Sequence, residues 1–289
     1  MLKKSISIVI PAFNEDLIIE SVLGSIKTNL NLYIDEIIVV DDGSSDNTAT
    51  KANIEGIKLI KHTRNLGYGA ALKTGIKNSS SEYVLTMDGD GQHKHEEIKK
   101  LIDSLKNQDA IIGSRKGMFH SNLWRMPGKW FLQFLAEYLI GKKIDDLNSG
   151  LRLVKKDIFL KYMHLCPQGF SFSTTITMVL LSRGYELQYV PIDISKRTGK
   201  SMVNVKTGFD TIILVLRLAT LFNPLKIFLP ISSVFMLLGG FKTFMDYFSN
   251  GPITTGSLLA LITGILIFSL GLISDQISQI RTESFDKKY

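Results

Sequence analysis

Two carboxylates separated by a single glycine are the most chemically suggestive feature of the sequence. Asp88 and Asp90 follow the apolar run Tyr83 to Met87, which has the composition of a buried strand. Carboxylates so placed can share one Mg²⁺ or Mn²⁺ ion, because proteins hold such hard cations with a few carboxylates and substrate phosphates. The ion would neutralise charge that develops on a leaving phosphate group. Alone the tripeptide is a weak signal, since Asp and Gly are common in turns.

The residues after this pair add further oxygen and nitrogen donors. Gln92 is a candidate third ligand, or a neighbour that reaches the ion through water. His93 and His95 raise the question of zinc, but two histidines without a cysteine or a distant third histidine make a poor zinc signature. We expect both to be loop and helix-start residues.

A second acidic cluster, Asp41 and Asp42, ends another apolar run. Ser45 or Asp46 can cap the helix that follows, which accounts for part of this polarity. Two adjacent carboxylates exceed what a cap needs, and one of them can accept hydrogen bonds from a base or a ribose.

The segment Asn65 to Ala71 is similar to a phosphate-cradling loop. It lacks the third glycine of GxGxxG and the GK[ST] of a P-loop. By itself it is a weak indication of phosphate binding.

Five short apolar runs alternate with helix-like segments between Ser5 and Gly113. They read SISIVI, EIIVVD, IKLIKH, YVLTMD and AIIGS. Such alternation predicts an α/β fold with a parallel sheet covered on both faces, and ligands of such sheets bind beyond the carboxyl ends of the strands. We therefore expect the segments Pro11 to Glu15, Asp41 to Gly43 and Asp88 to Asp90 to converge on one edge.

The region from Met118 to Asn204 is mixed in character. After Pro127, bulky apolar residues recur at helical spacing: Trp130, Phe131, Phe134, Leu135, Tyr138 and Leu139. This stripe fits either core packing or a helix in the membrane interface beside the active site.

Beyond Lys206 the composition becomes strongly apolar. Thr211 to Phe222 indicates an interfacial helix, and Ile227 to Phe241 and Tyr247 to Ser274 carry no charge. A membrane-spanning helix needs about 20 residues, so two spans are predicted, the first with Lys242 at its end. The link between them would then contain Lys242 and Asp246.

The charge distribution favours a membrane over a nucleic acid. The chain carries a formal net charge of +7, but its basic residues form no single arm with interleaved aromatics. Basic residues instead flank the spans, at Arg217, Lys226, Arg281, Lys287 and Lys288. The positive-inside rule then places both flanks and the large N-terminal part in the cytoplasm. The one cysteine, Cys166, forms no internal disulfide, and no signal peptide is predicted because the first apolar run breaks at Pro11.

Taken together, these motifs resemble glycosyltransferase family 2, which has the GT-A fold, and within it the polyprenyl-phosphate glycosyltransferases. The matching stretches lie in the family's order over about the first 200 residues: SIVIPAFNE, IIVVDDGSSDNT, NLGYGAALKTGI, TMDGDGQH, DLNSGLRLVKKDIF and RTGKS. The pair of hydrophobic spans is similar to members that carry their own membrane anchor. In the DLNSGLR segment, Leu151 stands where the family usually has an aromatic residue.

The resemblance implies a role for each matching residue. The donor nucleotide would be bound by Pro11, Asn14, Glu15, Asp41, Asp42, Asp88 and Ser201. The metal, Mg²⁺ or Mn²⁺, would be held by Asp88, Asp90 and Gln92. The acceptor phosphate would be bound by Arg115 and Arg125, which lie where the family places cations, and by Lys129, which flanks the start of the apolar stripe. The catalytic residues would be Asp90, Asp146 and Arg197, the last in a loop that closes on the donor pyrophosphate.

The expected reaction is inverting transfer of a hexose from a nucleotide-diphosphate sugar, of the UDP-glucose or GDP-mannose type, to a polyprenyl phosphate. A lipid phosphate is already nucleophilic at pH 7, because its second ionisation lies near pH 6. Two alternatives stay open. A hydroxyl acceptor would need Asp146 or Asp145 as general base, and a sugar-nucleotide-binding scaffold without turnover would not need the metal carboxylates that this chain retains.

These inferences together predict a cytoplasmic GT-A catalytic domain over residues 1–206 and an interfacial amphipathic helix over 207–226. Two transmembrane helices with a short cytoplasmic tail complete the chain over 227–289. The predicted partners are the sugar nucleotide, the lipid phosphate and the membrane. A homo-oligomer is compatible with the sequence.

Overall fold

The computed structural model describes residues 4–115, 126–169, 171–195, 205–249 and 251–286, with the backbone alone at 126–132, 205–212 and 282–286. Contacts divide the chain into two compact units. The first comprises Met1–Gln133 and Lys142–Thr211, and the second comprises Phe134–Gly141 and Ile212–Tyr289.

A seven-stranded sheet with the order β3-β2-β1-β4-β6-β5-β7 forms the centre of the first unit. The strands are β1 Ile6–Ala12, β2 Glu36–Asp41, β3 Ile57–Lys61, β4 Tyr83–Thr86, β5 Ala110–Arg115, β6 Arg152–Lys155 and β7 Leu187–Ile192. β6 runs antiparallel to β4 and β5, and the other pairs are parallel. The five predicted strands are confirmed as β1 to β5. The antiparallel β6 was not predicted, because a four-residue strand is too short to show a clear period.

The central strand β1 shows why this sheet forms. All seven of its residues are buried, as expected for a parallel strand covered by helices on both faces. Its one polar side chain, Ser7, donates a hydrogen bond to Glu36 of β2 at 2.5 Å, so burial leaves that hydroxyl satisfied.

Among the described residues, seven helices lie along the chain between β1 and β7. They are α1 Ile19–Leu30, α2 Thr48–Ala52, α3 Tyr68–Asn78, α4 His95–Asp103, α5 Met126–Ile140, α6 Lys156–Tyr162 and α7 Phe172–Ser182. The connections that matter for the site follow β1, β2 and β4. Ala12 pairs with Asp41, and Val9 with Thr86, so these three parallel strands end at the same edge of the sheet, as predicted.

Three further helices close the chain: α8 Val205–Phe222, α9 Leu225–Phe248 and α10 Thr255–Asp286. Leu225–Phe248 and Thr255–Arg281 are long and apolar enough to cross a membrane, and only 11% and 17% of the residues in their apolar windows are buried. Such exposure distinguishes them from the core helices of a soluble domain.

The position of the turn between the two long helices differs from the prediction. Lys242 and Asp246 do not form the link; they lie one helical turn apart within α9 and form an ion pair at 2.6 Å. Tyr247 likewise belongs to α9 rather than to the second span. The helix ends at Phe248 because Gly251 and Pro252 follow, a pair that cannot easily continue a helix.

The apolar stripe of α5 divides in its described part. Phe134 and Tyr138 are 67% and 48% exposed, whereas Ala136 and Leu139 are buried. One face of this segment is therefore buried, and the opposite face exposes aromatic side chains.

Candidate active site

The loops after β1 and β2 are joined to each other. Asn14 has a φ of +54°, a left-handed conformation that Asn tolerates better than most residues. Its N–H donates to the Ser44 hydroxyl at 3.0 Å, and its Oδ1 accepts from the Ser45 N–H at 2.9 Å. The next residue, Glu15, donates its N–H to Thr48 at 2.8 Å. Pro11, buried at the end of β1, places this loop at the sheet edge.

Asp42 anchors the loop that leads into α3. Its carboxylate accepts hydrogen bonds from the Leu66 N–H at 3.0 Å and the Gly67 N–H at 2.8 Å. It also lies 2.6 Å from Nδ1 of His62, whose Nε2 lies 2.9 Å from the Thr74 hydroxyl. Asp42 therefore satisfies backbone N–H groups at the helix N-terminus, a favourable place for negative charge.

The adjacent Asp41 instead accepts a hydrogen bond within its own loop. Its Oδ1 accepts from the Ser44 N–H at 3.2 Å, and only 3% of the residue is exposed. The structure therefore brings the predicted donor-binding residues of β1 and β2 together at one edge, with Asp42 directed toward the α3 loop.

The glycines of the segment Asn65 to Ala71 pack closely against the backbone of Pro167 and Gln168. A Cβ on Gly67 would lie 2.6 Å from the carbonyl oxygen of Gln168, and one on Gly69 would lie still closer to that of Pro167. Ala70 donates its N–H to the same Gln168 carbonyl at 3.1 Å. These contacts account for the small residues without a bound phosphate.

Asp88 and Asp90 follow β4 at the same edge. Oδ1 of Asp88 accepts a hydrogen bond from the Tyr68 hydroxyl at 2.8 Å. Asp90 is 5% exposed, and its Oδ1 accepts from the Gln92 N–H at 3.1 Å. A Cβ on the intervening Gly89 would lie 3.2 Å from the carbonyl oxygen of Pro11, which shows how closely this loop follows the end of β1.

The chemistry of this donor set fits a hard divalent ion. Within the described residues, no three His, Cys, Asp or Glu side chains are grouped so as to hold a metal by themselves. Two carboxylates suffice for Mg²⁺ or Mn²⁺ when substrate phosphates complete the coordination. Asp88 and Asp90 suit an ion that is bound together with a diphosphate.

Gln92 connects this motif to the end of β7. Its carbonyl accepts from the Ser195 N–H at 3.0 Å, and its side-chain amide donates to the Ser195 carbonyl at 3.2 Å. Arg197 and Ser201, predicted to contact the donor, lie outside the described residues.

His93 lies close to both carboxylates but is not their ion-pair partner. Burial lowers its pKa, against the opposing influence of Asp88 and Asp90. The imidazole is therefore held neutral, and within the described residues its Nδ1 has no hydrogen-bond partner. His95 begins α4, and its Nδ1 lies 3.1 Å from the Ser25 hydroxyl, as expected for a helix-start residue.

Arg115 and Asp146 form a two-pronged ion pair. Nε of Arg115 lies 2.6 Å from Oδ2, and its second terminal nitrogen lies 2.8 Å from Oδ1. Burial alone would raise the pKa of Asp146, but hydrogen bonds and charge from Arg115 outweigh burial and hold that pKa below its usual value. Burial likewise opposes the charge on Arg115, and Asp146 keeps the arginine pKa above its usual value. The structure thus pairs a predicted acceptor residue with a predicted catalytic residue.

Arg125 lies outside the described residues. Lys129 lies in the first part of α5, where only the backbone is described.

Sequence reasoning missed three residues that shape the site. Tyr68 contacts Asp88, and Gly150 faces the same carboxylate. Arg152 is fully buried and donates to the carbonyls of Ser149 and Ser173. The DLNSGLR segment contained a signal for Gly150 and Arg152, whereas Tyr68 had no signal beyond its place in a loop between a strand and a helix.

Comparison with known proteins identifies the family to which this chain is similar. Residues 7–163, more than half of the chain, match glycosyl transferase family 2, and residues 223–280 match the GtrB C-terminal hairpin. The UDP-N-acetylglucosamine–dolichyl-phosphate N-acetylglucosaminyltransferase of Methanococcus voltae is 30% identical over 239 residues, which cover 72% of this chain and 94% of the relative. The undecaprenyl-phosphate 4-deoxy-4-formamido-L-arabinose transferase of Pectobacterium carotovorum is 25% identical and covers 97% of this chain and 90% of the relative.

A solved structure supports the fold. Glucosyl-3-phosphoglycerate synthase from Mycobacterium tuberculosis, in complex with Mn²⁺, UDP and phosphoglyceric acid, superposes with a TM-score of 0.62 at 21% identity. The match covers 75% of this chain and 78% of the other. The predicted GT-A fold with a mostly parallel sheet is confirmed, and the chain belongs to glycosyl transferase family 2.

Proposed function

We propose that this protein transfers a hexose, with inversion, from a nucleotide-diphosphate sugar to a polyprenyl phosphate at the cytoplasmic surface of a membrane. The observation that carries the proposal is the combination, in one chain, of a carboxylate pair at the sheet edge with a C-terminal apolar hairpin. Both relatives are named as transferases that act on a lipid phosphate, which supports such an acceptor here. Their names give different sugars.

Asp88, Asp90 and Gln92 would hold Mg²⁺ or Mn²⁺ at this edge. When bound, the ion supplies positive charge against the diphosphate that leaves the sugar. The similar fold that was crystallised with Mn²⁺ and UDP supports this choice of ion.

The donor would lie across the ends of β1 and β2. Its nucleoside would be bound by Pro11, Asn14, Glu15, Asp41 and Asp42. The hydrogen bonds that join Asn14 to Ser44 and Ser45 hold these loops in one arrangement before the donor arrives. Preorganised loops lower the entropy cost of binding. Arg197 and Ser201 would contact the pyrophosphate.

In the transfer step, an oxygen of the lipid phosphate attacks the anomeric carbon as the bond from that carbon to the diphosphate oxygen breaks. Attack from the face opposite the leaving group inverts the anomeric configuration. The phosphate dianion needs no strong general base, so positioning supplies much of the rate. Arg197 would stabilise charge on the departing diphosphate.

The state of Asp146 argues against the hydroxyl-acceptor alternative. A general base works best with a pKa near the operating pH, but Arg115 holds the pKa of Asp146 below its usual value. Asp146 would therefore orient the acceptor side of the site, together with Arg115, rather than accept a proton.

Arg125 and Lys129 would bind the acceptor phosphate beside the start of α5. The exposed aromatic side chains of Phe134 and Tyr138 further along this helix suit a lipid-facing position. We expect Arg125→Ala to lower kcat/KM for the polyprenyl phosphate strongly and to leave donor binding and membrane partition close to wild type. Unchanged acceptor kinetics in both Arg115→Ala and Arg125→Ala would place the lipid phosphate elsewhere.

A donor screen tests the proposal directly. Purified protein in detergent is supplied with a polyprenyl phosphate and with UDP-glucose, GDP-mannose or UDP-N-acetylglucosamine, and the anomeric configuration of the product is read by NMR. The proposal predicts a lipid-phosphate-linked hexose with inverted configuration. Transfer of the sugar only to a hydroxyl-bearing acceptor would refute it.

A further inference from the structure

Tyr68 makes a direct contact with a predicted metal carboxylate. Its hydroxyl donates to Oδ1 of Asp88 at 2.8 Å, from the first turn of α3 to the end of β4. A hydrogen bond to one carboxylate oxygen fixes the rotation of the group and thereby the direction of its second oxygen. We infer that Tyr68 is a positioning residue that orients Asp88 toward the metal.

Gly150 confines the same carboxylate from another direction. A Cβ on this residue would lie 2.6 Å from Oδ2 and 2.8 Å from Oδ1 of Asp88, distances that real Cβ atoms do not show. Any larger side chain at position 150 must displace the carboxylate. Tyr68 therefore holds Asp88 by attraction, and Gly150 is small because the carboxylate occupies the space beside it.

Asp42 holds the backbone immediately before Tyr68. The two N–H groups that Asp42 binds, those of Leu66 and Gly67, immediately precede Tyr68 in the chain. A chain of contacts thus runs from the end of β2, through the N-terminus of α3, to the end of β4. Partners behind a metal ligand commonly orient it, and their loss reduces metal affinity.

The direction of this contact follows from the two groups. An ionised carboxylate only accepts hydrogen bonds, so the phenolic hydroxyl of Tyr68 is the donor and Asp88 the acceptor.

The inference rests on the proposed metal site, and a binding measurement separates the two. Mn²⁺ is titrated into full-length protein in detergent with UDP or GDP present, because a diphosphate is expected to complete the coordination. Free Mn²⁺ is read by electron paramagnetic resonance, and matched titrations without protein account for Mn²⁺ bound by the nucleotide. In wild type we expect one site that Asp88→Asn removes. Tyr68→Phe keeps the ring and deletes only the hydroxyl, and we expect it to weaken Mn²⁺ binding roughly 10- to 100-fold.

Tyr83→Phe is the matched control. Tyr83 is a fully buried tyrosine of β4 whose hydroxyl donates to the Gln108 carbonyl at 3.2 Å. Tyr83→Phe also deletes one buried phenolic hydroxyl, but this hydroxyl does not contact Asp88. We expect unchanged Mn²⁺ affinity here, even if thermal unfolding shows a loss of stability similar to that of Tyr68→Phe.

A pair of glycine variants tests the same geometry without altering Tyr68. Gly150→Ala should weaken Mn²⁺ binding by displacing Asp88. Gly24→Ala, in α1, should leave binding unchanged, because nothing lies within 4 Å of its added Cβ. Gly150→Ala also keeps the idea testable if Tyr68→Phe fails to fold.

Activity adds a second readout. In Tyr68→Phe, the Mn²⁺ concentration for half-maximal turnover should rise about tenfold or more. Turnover at saturating Mn²⁺ should recover most of the wild-type rate, which a general loss of structure would not allow.

The outcomes are distinct. Absence of protein-dependent Mn²⁺ binding in wild type with either UDP or GDP present, or binding that Asp88→Asn leaves intact, overturns the metal assignment and the role of Tyr68 with it. Wild-type Mn²⁺ affinity in Tyr68→Phe, or an equal loss in Tyr83→Phe, overturns the role of Tyr68 and leaves the metal assignment standing.

Discussion

Three carboxylates near the sheet edge differ in what they bind. Asp42 accepts backbone N–H groups from the α3 loop, and Asp146 accepts both prongs of Arg115. Within the part of the chain that the structure describes, Asp88 accepts one hydrogen bond, from the Tyr68 hydroxyl. A carboxylate that already accepts several hydrogen bonds has fewer lone pairs left for a metal ion, whereas Asp88 keeps more of them. These surroundings favour Asp88 over Asp42 as a metal ligand.

The first prediction concerns the metal carboxylates. We expect Asp90→Ala and Asp88→Asn to abolish turnover, because the ion loses a ligand and the leaving diphosphate loses its counter-charge. Their circular dichroism spectra should match wild type, since both residues follow the strand rather than belong to it. Turnover that persists in excess EDTA would contradict the metal requirement.

The second prediction concerns pH. A depressed folded-state pKa keeps Asp146 ionised, so the stability from its pairing with Arg115 is present above about pH 4 and is lost as pH falls through the lower folded-state value. The rate should instead fall below about pH 6, where the acceptor phosphate gains a proton.

A pH profile of kcat/KM in wild type and Asp146→Asn checks this assignment. The acidic limb should stay at the same pH in the variant, with a lower plateau from disturbed positioning. An acidic limb that disappears in Asp146→Asn would identify Asp146 as the titrating group and favour a hydroxyl acceptor.

At the scale of elements, α9 and α10 pack through small residues at seven-residue spacing. These are Ser232 and Gly239 in α9, and Ser257, Gly264, Gly271 and Ser278 in α10. A Cβ on Gly264 would lie 2.9 Å from the Met236 backbone nitrogen, and one on Gly271 would lie 2.7 Å from Cβ of Phe228. Such spacing keeps one seam facing the partner helix, and small residues let the backbones approach closely.

The third prediction uses two neighbouring glycines of α9. A Cβ on Gly239 would lie 2.8 Å from the Leu261 backbone nitrogen, whereas one on Gly240 meets nothing within 4 Å. We expect Gly239→Ala to lower the free energy of unfolding of the hairpin by about 1–3 kcal/mol through overpacking. Gly240→Ala, with the same helix propensity, should change it little. Unfolding in mixed micelles measures both, and equal effects would exclude this packing.

The hairpin turn is stabilised by a polar contact of its own. The Asp246 carboxylate accepts from the N–H and the hydroxyl of Thr254, at 3.0 and 2.9 Å, while it pairs with Lys242. These bonds connect the end of α9 to the residue before α10. They explain how two charged residues are accommodated inside a helix that otherwise has the composition of a membrane span.

At the scale of the whole molecule, the distribution of charge sets the proposed orientation. Basic residues lie before α9 and after the apolar part of α10, whereas the turn between the helices has no net charge. Because basic flanks remain in the cytoplasm, both ends of a two-helix hairpin are expected there. The site at the sheet edge would then be exposed to cytoplasmic sugar nucleotides.

The fourth prediction tests that orientation by thiol labelling in sealed vesicles. Leu17→Cys, at a position that is 83% exposed, and Lys287→Cys should react on the same face, and Ser249→Cys in the turn should react on the other. Native Cys166 supplies a low background, because it is 4% exposed and burial raises its pKa to about 12. Labelling of positions 17 and 287 on opposite faces would mean that only one helix spans.

Sequence alone sufficed for features whose signal is local. Strand ends, the Asp88 and Asp90 pair, and the apolar helices each appear as a run or a period within about 20 residues. Convergence of the strand ends also followed, since parallel strands share one carboxyl edge. The turn between α9 and α10 was misplaced because charge indicated a loop, whereas Asp246 and Lys242 neutralise each other within the helix.

Only the tertiary structure decided which side chains meet. Tyr68 and Asp88 are 20 residues apart, and Arg115 and Asp146 are 31 apart. Their contacts depend on how α3 lies against the sheet and how the chain returns through the antiparallel β6. The hydrophobic periodicity of a short segment does not predict these contacts, because they are set by long-range packing of the buried core. The sequence therefore indicated which acids are candidates for the site, and the fold determined which of these acids are already paired with other groups.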